Sequence, residues 1–182
     1  MKVIAIVGMT GAGKSEVARL FESSGFTRIR FGDVTDEEVK KRGLPLNEAN
    51  ERTVREQLRV ELGMAAYAIL NQPKIDAALQ SGDVVIDGLY SWEEYLVLKE
   101  HYGDKFCVVA VWASPKMRQA RLAGRRVRPL TPAEAASRDK AEIEKLNKSG
   151  PISVADYTLV NELSLPKLIE DTKKIIARIK NE

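Results

Sequence analysis

Cysteine and histidine are almost absent from this chain: its 182 residues include one of each, Cys107 and His101. A single thiol closes no internal disulfide, and neither a cysteine-based zinc site nor a multi-histidine metal site can be assembled. Long apolar runs are missing as well. No stretch approaches the roughly 18 residues that span a bilayer. The apolar run at residues 3–7 is too short for the core of a secretion signal and passes straight into glycines. Aromatic residues make up only 6%, and the net charge is +3. That excess is too small to mark a nucleic-acid binder, although mild basicity suits anionic ligands. Repeats, low-complexity tracts and flexible linkers are lacking. A cytoplasmic protein without membrane attachment is the expectation. What is present suffices for a packed core: 44% hydrophobic and 30% charged residues place the chain outside the disordered class. Its length suggests one domain, residues 1–182, with small inserted subdomains.

Glycine is concentrated near the start, in VIAIVGMTGAGKS, where three glycines fall within six positions before a lysine and a serine. Glycine weakens regular structure, so such a cluster needs a purpose. Gly8-x-x-x-x-Gly13-Lys14-Ser15 matches the phosphate-binding P-loop in full. Glycines let the backbone curl so that its N–H groups surround a phosphate, and a helix starting near Lys14 adds its positive end. The nucleotide-binding set is then Gly8, Thr10, Gly11, Ala12, Gly13, Lys14 and Ser15, with Val17 one turn on. Lys14 reaches the β- and γ-phosphates, and the Ser15 hydroxyl ligates Mg²⁺. ATP and Mg²⁺ are the expected cofactors. Guanine-reading proteins use an Asn-Lys-x-Asp loop. Here Asn147-Lys148 continues into Ser149-Gly150 with no strand before it, so a GTPase is set aside.

The remaining pattern predicts an α/β fold: a P-loop NTPase fold with a five-stranded parallel sheet and helices on both faces. The strands fall at Val3–Val7, residues 26–31, residues 84–86, Phe106–Trp112 and Tyr157–Val160. A helix over residues 165–180 presents Leu168, Ile169, Thr172, Ile175, Ile176 and Ile179 on one face, with Ser164 as its N-cap. Two segments are too long for simple crossovers. Residues 35–80 open with a capping-box pattern, Thr35-x-x-Glu38. They continue as a helix over 47–71, with Val54, Leu58, Leu62, Ala65 and Ile69 at helical spacing, until Pro73 breaks it. Residues 113–148 are arginine-rich and then offer a second capping box at Thr131-Pro132-Ala133-Glu134.

Asp87 ends a buried strand, where carboxylates of doubly wound sheets face the ligand crevice, and so joins Ser15 as a metal-facing residue. Arg118, Arg121 and Arg125 recur at i, i+3 and i+7, and Arg126, Arg128 and Arg138 follow. In a P-loop protein such a cluster stabilises charge on a transferring phosphoryl group. Trp112 and Cys107 read as core residues of the fourth strand, and His101 as a helix-end residue without a catalytic part. Trp92, Tyr90 and Tyr95 serve either an acceptor pocket or core packing.

These motifs resemble the nucleoside-monophosphate kinase group of P-loop kinases, which includes adenylate kinase and, more distantly, dephospho-CoA kinase. The resemblance covers nearly the whole chain. It rests on the P-loop, Gly32-Asp33, Asp87-Gly88, Arg121-Leu122-Ala123-Gly124-Arg125-Arg126-Val127 and Ser137-Arg138-Asp139. The chain is also similar to an uncharacterised archaeal kinase-like family in Leu58-Arg59-x-x-x-Gly63-Met64, Ala113-Ser114-Pro115-Lys116 and Ala155-Asp156-Tyr157-x-x-x-Asn161. The resemblance implies an acceptor-binding subdomain at about 35–80 and a short lid at about 121–148. It puts Arg121 on the donor adenine, Arg125 and Arg138 on the transferring phosphate, and Asn161 beside the donor base.

Two departures bear on the acceptor. Adenylate kinases carry arginines at the positions held here by Asp36 and Ser91. Arg52, Arg55 and Arg59, at i, i+3 and i+7, offer a replacement clamp, with Arg55 and Arg59 as the acceptor-binding pair beside Asp33, Asp87 and Tyr90. If the acceptor instead presents a hydroxyl, Asp33 or Asp36 is suited to accept its proton. Three functions follow: γ-phosphate transfer to a nucleoside monophosphate, transfer to a hydroxyl of a metabolite such as dephospho-CoA, or a nucleotide-dependent regulatory or nucleic-acid-binding module. The partner expected is a small-molecule acceptor, a nucleotide or CoA precursor.

Overall fold

A computed structural model describes residues 1–125 and 129–181. Five strands form one parallel sheet in the order β2-β3-β1-β4-β5: β1 Val3–Val7, β2 Thr27–Arg30, β3 Val84–Asp87, β4 Phe106–Trp112 and β5 Tyr157–Val160. The helices are α1 Lys14–Ser23, α2 Asp33–Lys41, α3 Glu48–Leu62, α4 Ala66–Leu79, α5 Trp92–Tyr102, α6 Pro115–Ala123, α7 Pro132–Glu144, α8 Ser149–Ser153 and α9 Leu165–Asn181. Side chains alternate across a strand, so β1 splits its apolar run between two cores. Val3, Ala5 and Val7 join Phe31, Tyr67, Ile75 and Leu98 under α2, α4 and α5. Ile4 and Ile6 join Val17, Phe21, Leu168 and Ile176 under α1 and α9. Burial on both faces explains why the central strands read as unbroken apolar runs. No helix among the described residues is long and apolar enough to cross a membrane.

Several local expectations are corrected. The helix over 47–71 is two helices. α3 ends at Gly63, whose φ of 77° lies in the left-handed region, and α4 begins at Ala66. Pro73 does not break a helix; it lies inside α4. The carbonyl it leaves without a helical donor belongs to Ile69, an exposed residue. Leu62 and Ile69 are accordingly exposed. Thr35 caps nothing: α2 starts two residues earlier at Asp33, and the Thr35 hydroxyl turns inward to that of Tyr67. Trp112 is not core; it is 46% exposed at the end of β4. The Thr131–Glu134 capping box is present in both directions at the start of α7.

Candidate active site

The sharp turn after β1 dictates its residues. Gly8 has φ 151°, and a Cβ there would fall 2.3 Å from the Val111 carbonyl oxygen. At Gly13, with φ 106°, a Cβ would fall 2.4 Å from the Asn161 amide nitrogen. Neither position admits a side chain, and the loop between them curls over the N-terminus of α1. Ala12 N–H donates to the Met9 carbonyl at 3.1 Å. The Lys14 ammonium folds back across the loop, donating to the carbonyls of Gly8 at 2.8 Å and Met9 at 3.1 Å. Burial, with Lys148 and Arg138 nearby, pushes Lys14 down to about 7 against the pull of Glu142 and Asp87. Ser15 presents its exposed side chain on the first turn of α1, with Val17 buried beneath.

Asn161, at the end of β5, ties this loop to α6. Its amide donates to the Ala12 carbonyl at 2.8 Å. Arg121 donates from Nη2 to the Asn161 carbonyl at 2.9 Å and to Oδ1 at 3.2 Å. Arg121 Nη1 is buried without a hydrogen-bond partner among the described residues. Arg118, expected on the same functional face, has another task. It is buried, forks onto Asp139 of α7 at 2.6 and 2.8 Å, and donates to the carbonyls of Ala113 and Thr10 at 3.1 and 3.2 Å. It locks α7 onto the phosphate loop. Arg125 lies beyond the end of α6 and is exposed, so the three arginines do not share one helix face. Partial loss of water, and secondarily the charge of Arg138, lower the Arg125 guanidinium. Arg126 and Arg128 lie outside the described residues.

On the sheet's opposite flank, Asp87 pairs with Ile6 across β3 and β1. Its carboxylate is ion-paired with Arg28 of β2, a residue that sequence reasoning did not single out. Among the described residues no group of three or more His, Cys, Asp or Glu side chains could hold a metal ion. The two oxygen groups expected to face a metal are the Ser15 hydroxyl, exposed on the first turn of α1, and the Asp87 carboxylate at the end of β3. That sparse set fits a cation such as Mg²⁺, which takes one or two protein ligands and completes its shell from phosphates and water.

The side facing α2–α5 sorts the acceptor candidates. Asp33 is half-buried and paired with Arg30 at 2.9 Å. Arg52 pairs with Glu56, and Arg55 with Glu48 and Glu51 at 2.6 and 3.5 Å. Arg59 differs: its guanidinium lies 5.2 Å from the Tyr67 ring centroid, and its Nε is buried without a hydrogen-bond partner among the described residues. Tyr90 closes on Gly88 and Gly32, where a Cβ would meet its hydroxyl at 2.8 and 3.3 Å. Ser91 caps α5, accepting from Glu94 N–H at 3.1 Å and donating to the Met64 carbonyl at 2.8 Å. Glu94 is fully buried. Loss of water pushes its carboxyl up to about 8, against the backbone N–H of Tyr90 that it accepts at 2.7 Å. Trp92 and Tyr95 stack at 4.9 Å, and Trp92 covers Gly150, so these two rings pack rather than line a pocket.

Two residues unnoticed as site candidates reach the phosphate loop from α7 and the turn after it. Glu142 accepts from the Thr10 N–H at 3.1 Å, from the Thr10 hydroxyl and from the Lys148 ammonium at 3.2 Å. Burial alone would raise its carboxyl, but Lys148, Lys14 and Thr10 hold it down at about 2. Lys148 is only 2% exposed, and burial lowers its ammonium.

This geometry can be set beside known proteins. The AAA domain family matches residues 4–145. A UPF0200 protein of Thermococcus kodakarensis is 36% identical over 181 residues, covering 97% of both chains, and one of Methanoculleus marisnigri is 33% identical, covering 98% and 97%. The chain belongs to the UPF0200 family. Among solved structures, a shikimate kinase from Bacteroides thetaiotaomicron aligns with TM-score 0.62 at 14% identity, covering 100% and 99% of the two chains. A gluconokinase from Sinorhizobium meliloti aligns with TM-score 0.60 at 18% identity, covering 98% and 93%. At such identities the likeness concerns fold alone. This UPF0200 chain thus has the α/β fold of P-loop small-molecule kinases, and its P-loop domain is of the nucleotide-binding kind.

Proposed function

We propose that the protein is a phosphotransferase that moves the ATP γ-phosphate, with Mg²⁺, to a nucleoside monophosphate. The observation that carries this reading is the convergence of α1, α6 and α7 on one P-loop, with Lys14 across it and Arg121 beside it. Catalysis of this kind is positioning and charge stabilisation. Lys14 holds the β- and γ-phosphates, Arg121 flanks the donor base, and Arg125 with Arg138 neutralises the group in flight. Ser15 and Asp87, the latter directly or through water, would hold Mg²⁺, which would supply positive charge against the phosphates. Residues 121–148 act as the lid that keeps water out, and residues 35–80 receive the acceptor. Arg59, with its unpartnered Nε, takes the acceptor phosphate.

A second reading is a hydroxyl acceptor. One observation favours it: Ser91 is committed as a helix cap and Arg55 is neutralised by two glutamates, which leaves neither to clamp an acceptor phosphate. Asp33 or Asp36 then takes the hydroxyl proton. An ATP-consumption screen over ribo- and deoxynucleoside monophosphates and dephospho-CoA separates the two. Turnover of a monophosphate that is lost in Arg59→Ala supports the first. Turnover of dephospho-CoA alone, lost in Asp33→Asn or Asp36→Asn, supports the second. ATP binding without turnover of any acceptor refutes both and favours a nucleotide-dependent regulatory module.

A further inference from the structure

We propose that Lys148 is a second phosphate-binding lysine of this site, and that the Glu142 carboxylate holds the seat of the terminal phosphate of a nucleoside triphosphate until that phosphate displaces it. The inference rests on the P-loop binding a nucleotide, but not on any acceptor being phosphorylated. Three donors converge on the Glu142 carboxylate: a backbone N–H of the phosphate loop, the Thr10 hydroxyl and the Lys148 ammonium. A P-loop binds phosphate oxygens with such N–H groups, so a carboxylate on the Thr10 N–H occupies an anion position of the loop. Arg138 adds its guanidinium 3.7 Å from the same carboxylate, and Lys14 lies close enough for its charge to be felt at Glu142. Three basic side chains therefore surround one carboxylate. A terminal phosphate brings more acceptor oxygens and more negative charge to the same donors.

The two partners are anchored differently. Lys148 begins the turn into α8, whose Gly150 sits so tightly under Trp92 that a Cβ would fall 2.6 Å from the ring. Its ammonium stands 5.5 Å over the ring of Tyr90. Lys148 is thus fixed to the body of the protein, between the phosphate loop and the wall that Tyr90 forms. Glu142 belongs to α7 and is joined to it through Lys145–Asn147, where Asn147 takes the left-handed backbone at φ 48°. With α7 held by Arg118 and the Lys148 N–H bonded to the Glu142 carbonyl at 3.1 Å, a swing of the Glu142 side chain alone frees the Thr10 N–H and leaves Lys148 in place to meet the incoming phosphate.

The test is binding, not turnover. Calorimetric titration of the full chain with Mg²⁺ and either ADP or the β,γ-imido analogue of ATP is compared for wild type, Glu142→Gln and Lys148→Met. Loss of a charged hydrogen-bond donor from a phosphate weakens binding about tenfold or more. Lys148→Met should therefore lose about tenfold or more for the analogue while ADP changes less than about twofold. Glu142→Gln removes the competing anion and should tighten the analogue selectively. The proposal is overturned if both ligands change equally in both variants, or if Lys148→Met leaves the analogue unaffected. Should Lys148→Met not fold, Glu142→Gln decides alone: selective tightening of the analogue sustains the proposal, and equal or no change for the two ligands overturns it. A protein that binds nucleotide but phosphorylates nothing still shows this discrimination, so failure here is distinct from failure of the kinase reading.

Discussion

Lys14 should take up a proton when a nucleotide binds. Burial against the loop, with Lys148 and Arg138 beside it, lowers this ammonium from 10.5 to about 7. Phosphates reverse the balance by adding negative charge next to it. With a free value near 7 and a bound value near 10.5, the proton uptake is about 0.1 at pH 6 and about 0.9 at pH 8. The same linkage weakens nucleotide affinity about tenfold between pH 6 and pH 8. Calorimetry in buffers of differing ionisation enthalpy measures the uptake directly. Glu142, Asp87, Lys148 and Arg138 remain in a Lys14→Met variant, so the difference between wild type and variant isolates Lys14. An uptake that does not change with pH, or that persists unchanged in Lys14→Met, refutes the reasoning. Stability carries the corresponding sign. The unfolded chain binds more protons between about pH 7 and 10.5, so the destabilisation from this group is full below pH 7 and fades as pH rises.

Asn161→Ala removes the amide bond to Ala12 and one acceptor of Arg121; nucleotide affinity should fall about fivefold to a hundredfold, read by titration, with the loss of about 1–3 kcal/mol expected for such groups. Asp139→Asn leaves the buried Arg118 guanidinium without its carboxylate and should destabilise the fold by about 3 kcal/mol, seen as a lower denaturant midpoint. Arg52→Ala cuts an exposed pair with Glu56 and should leave both thermal midpoint and activity unchanged, in contrast to Arg59→Ala, which should raise the KM for the acceptor. Asp87→Asn should shift the Mg²⁺ concentration for half-maximal turnover upwards, measured by metal titration at fixed ATP.

The phosphate loop and the sheet were legible because both depend on local pattern. Gly8, Gly13 and Lys14 fall within seven residues, and the apolar runs of β1, β3 and β4 announce burial on both faces. Pro73 was misread as a helix breaker although it lies inside α4, and the helix end was missed because the left-handed Gly63 ends α3 by its own backbone geometry. The polar framework of the site was not legible for a different reason. Glu142 meets Thr10 across 132 residues, and Arg28 meets Asp87 across 59. No spacing rule connects such pairs; only the strand order and the packing of α7 bring them together. Lys148 was noticed in the sequence only as part of an Asn-Lys pair lacking the guanine-reading aspartate. A lysine at 2% exposure is a signal that only the folded chain displays.

The most direct test of phosphoryl transfer follows the label of γ-labelled ATP in the presence of Mg²⁺ and the acceptor that stimulates its consumption. Label recovered on that acceptor by wild type, and lost in Lys14→Ala, is the expected result. Label released only as inorganic phosphate, or turnover that survives in Lys14→Ala, would contradict the assignment of this chain as a phosphotransferase.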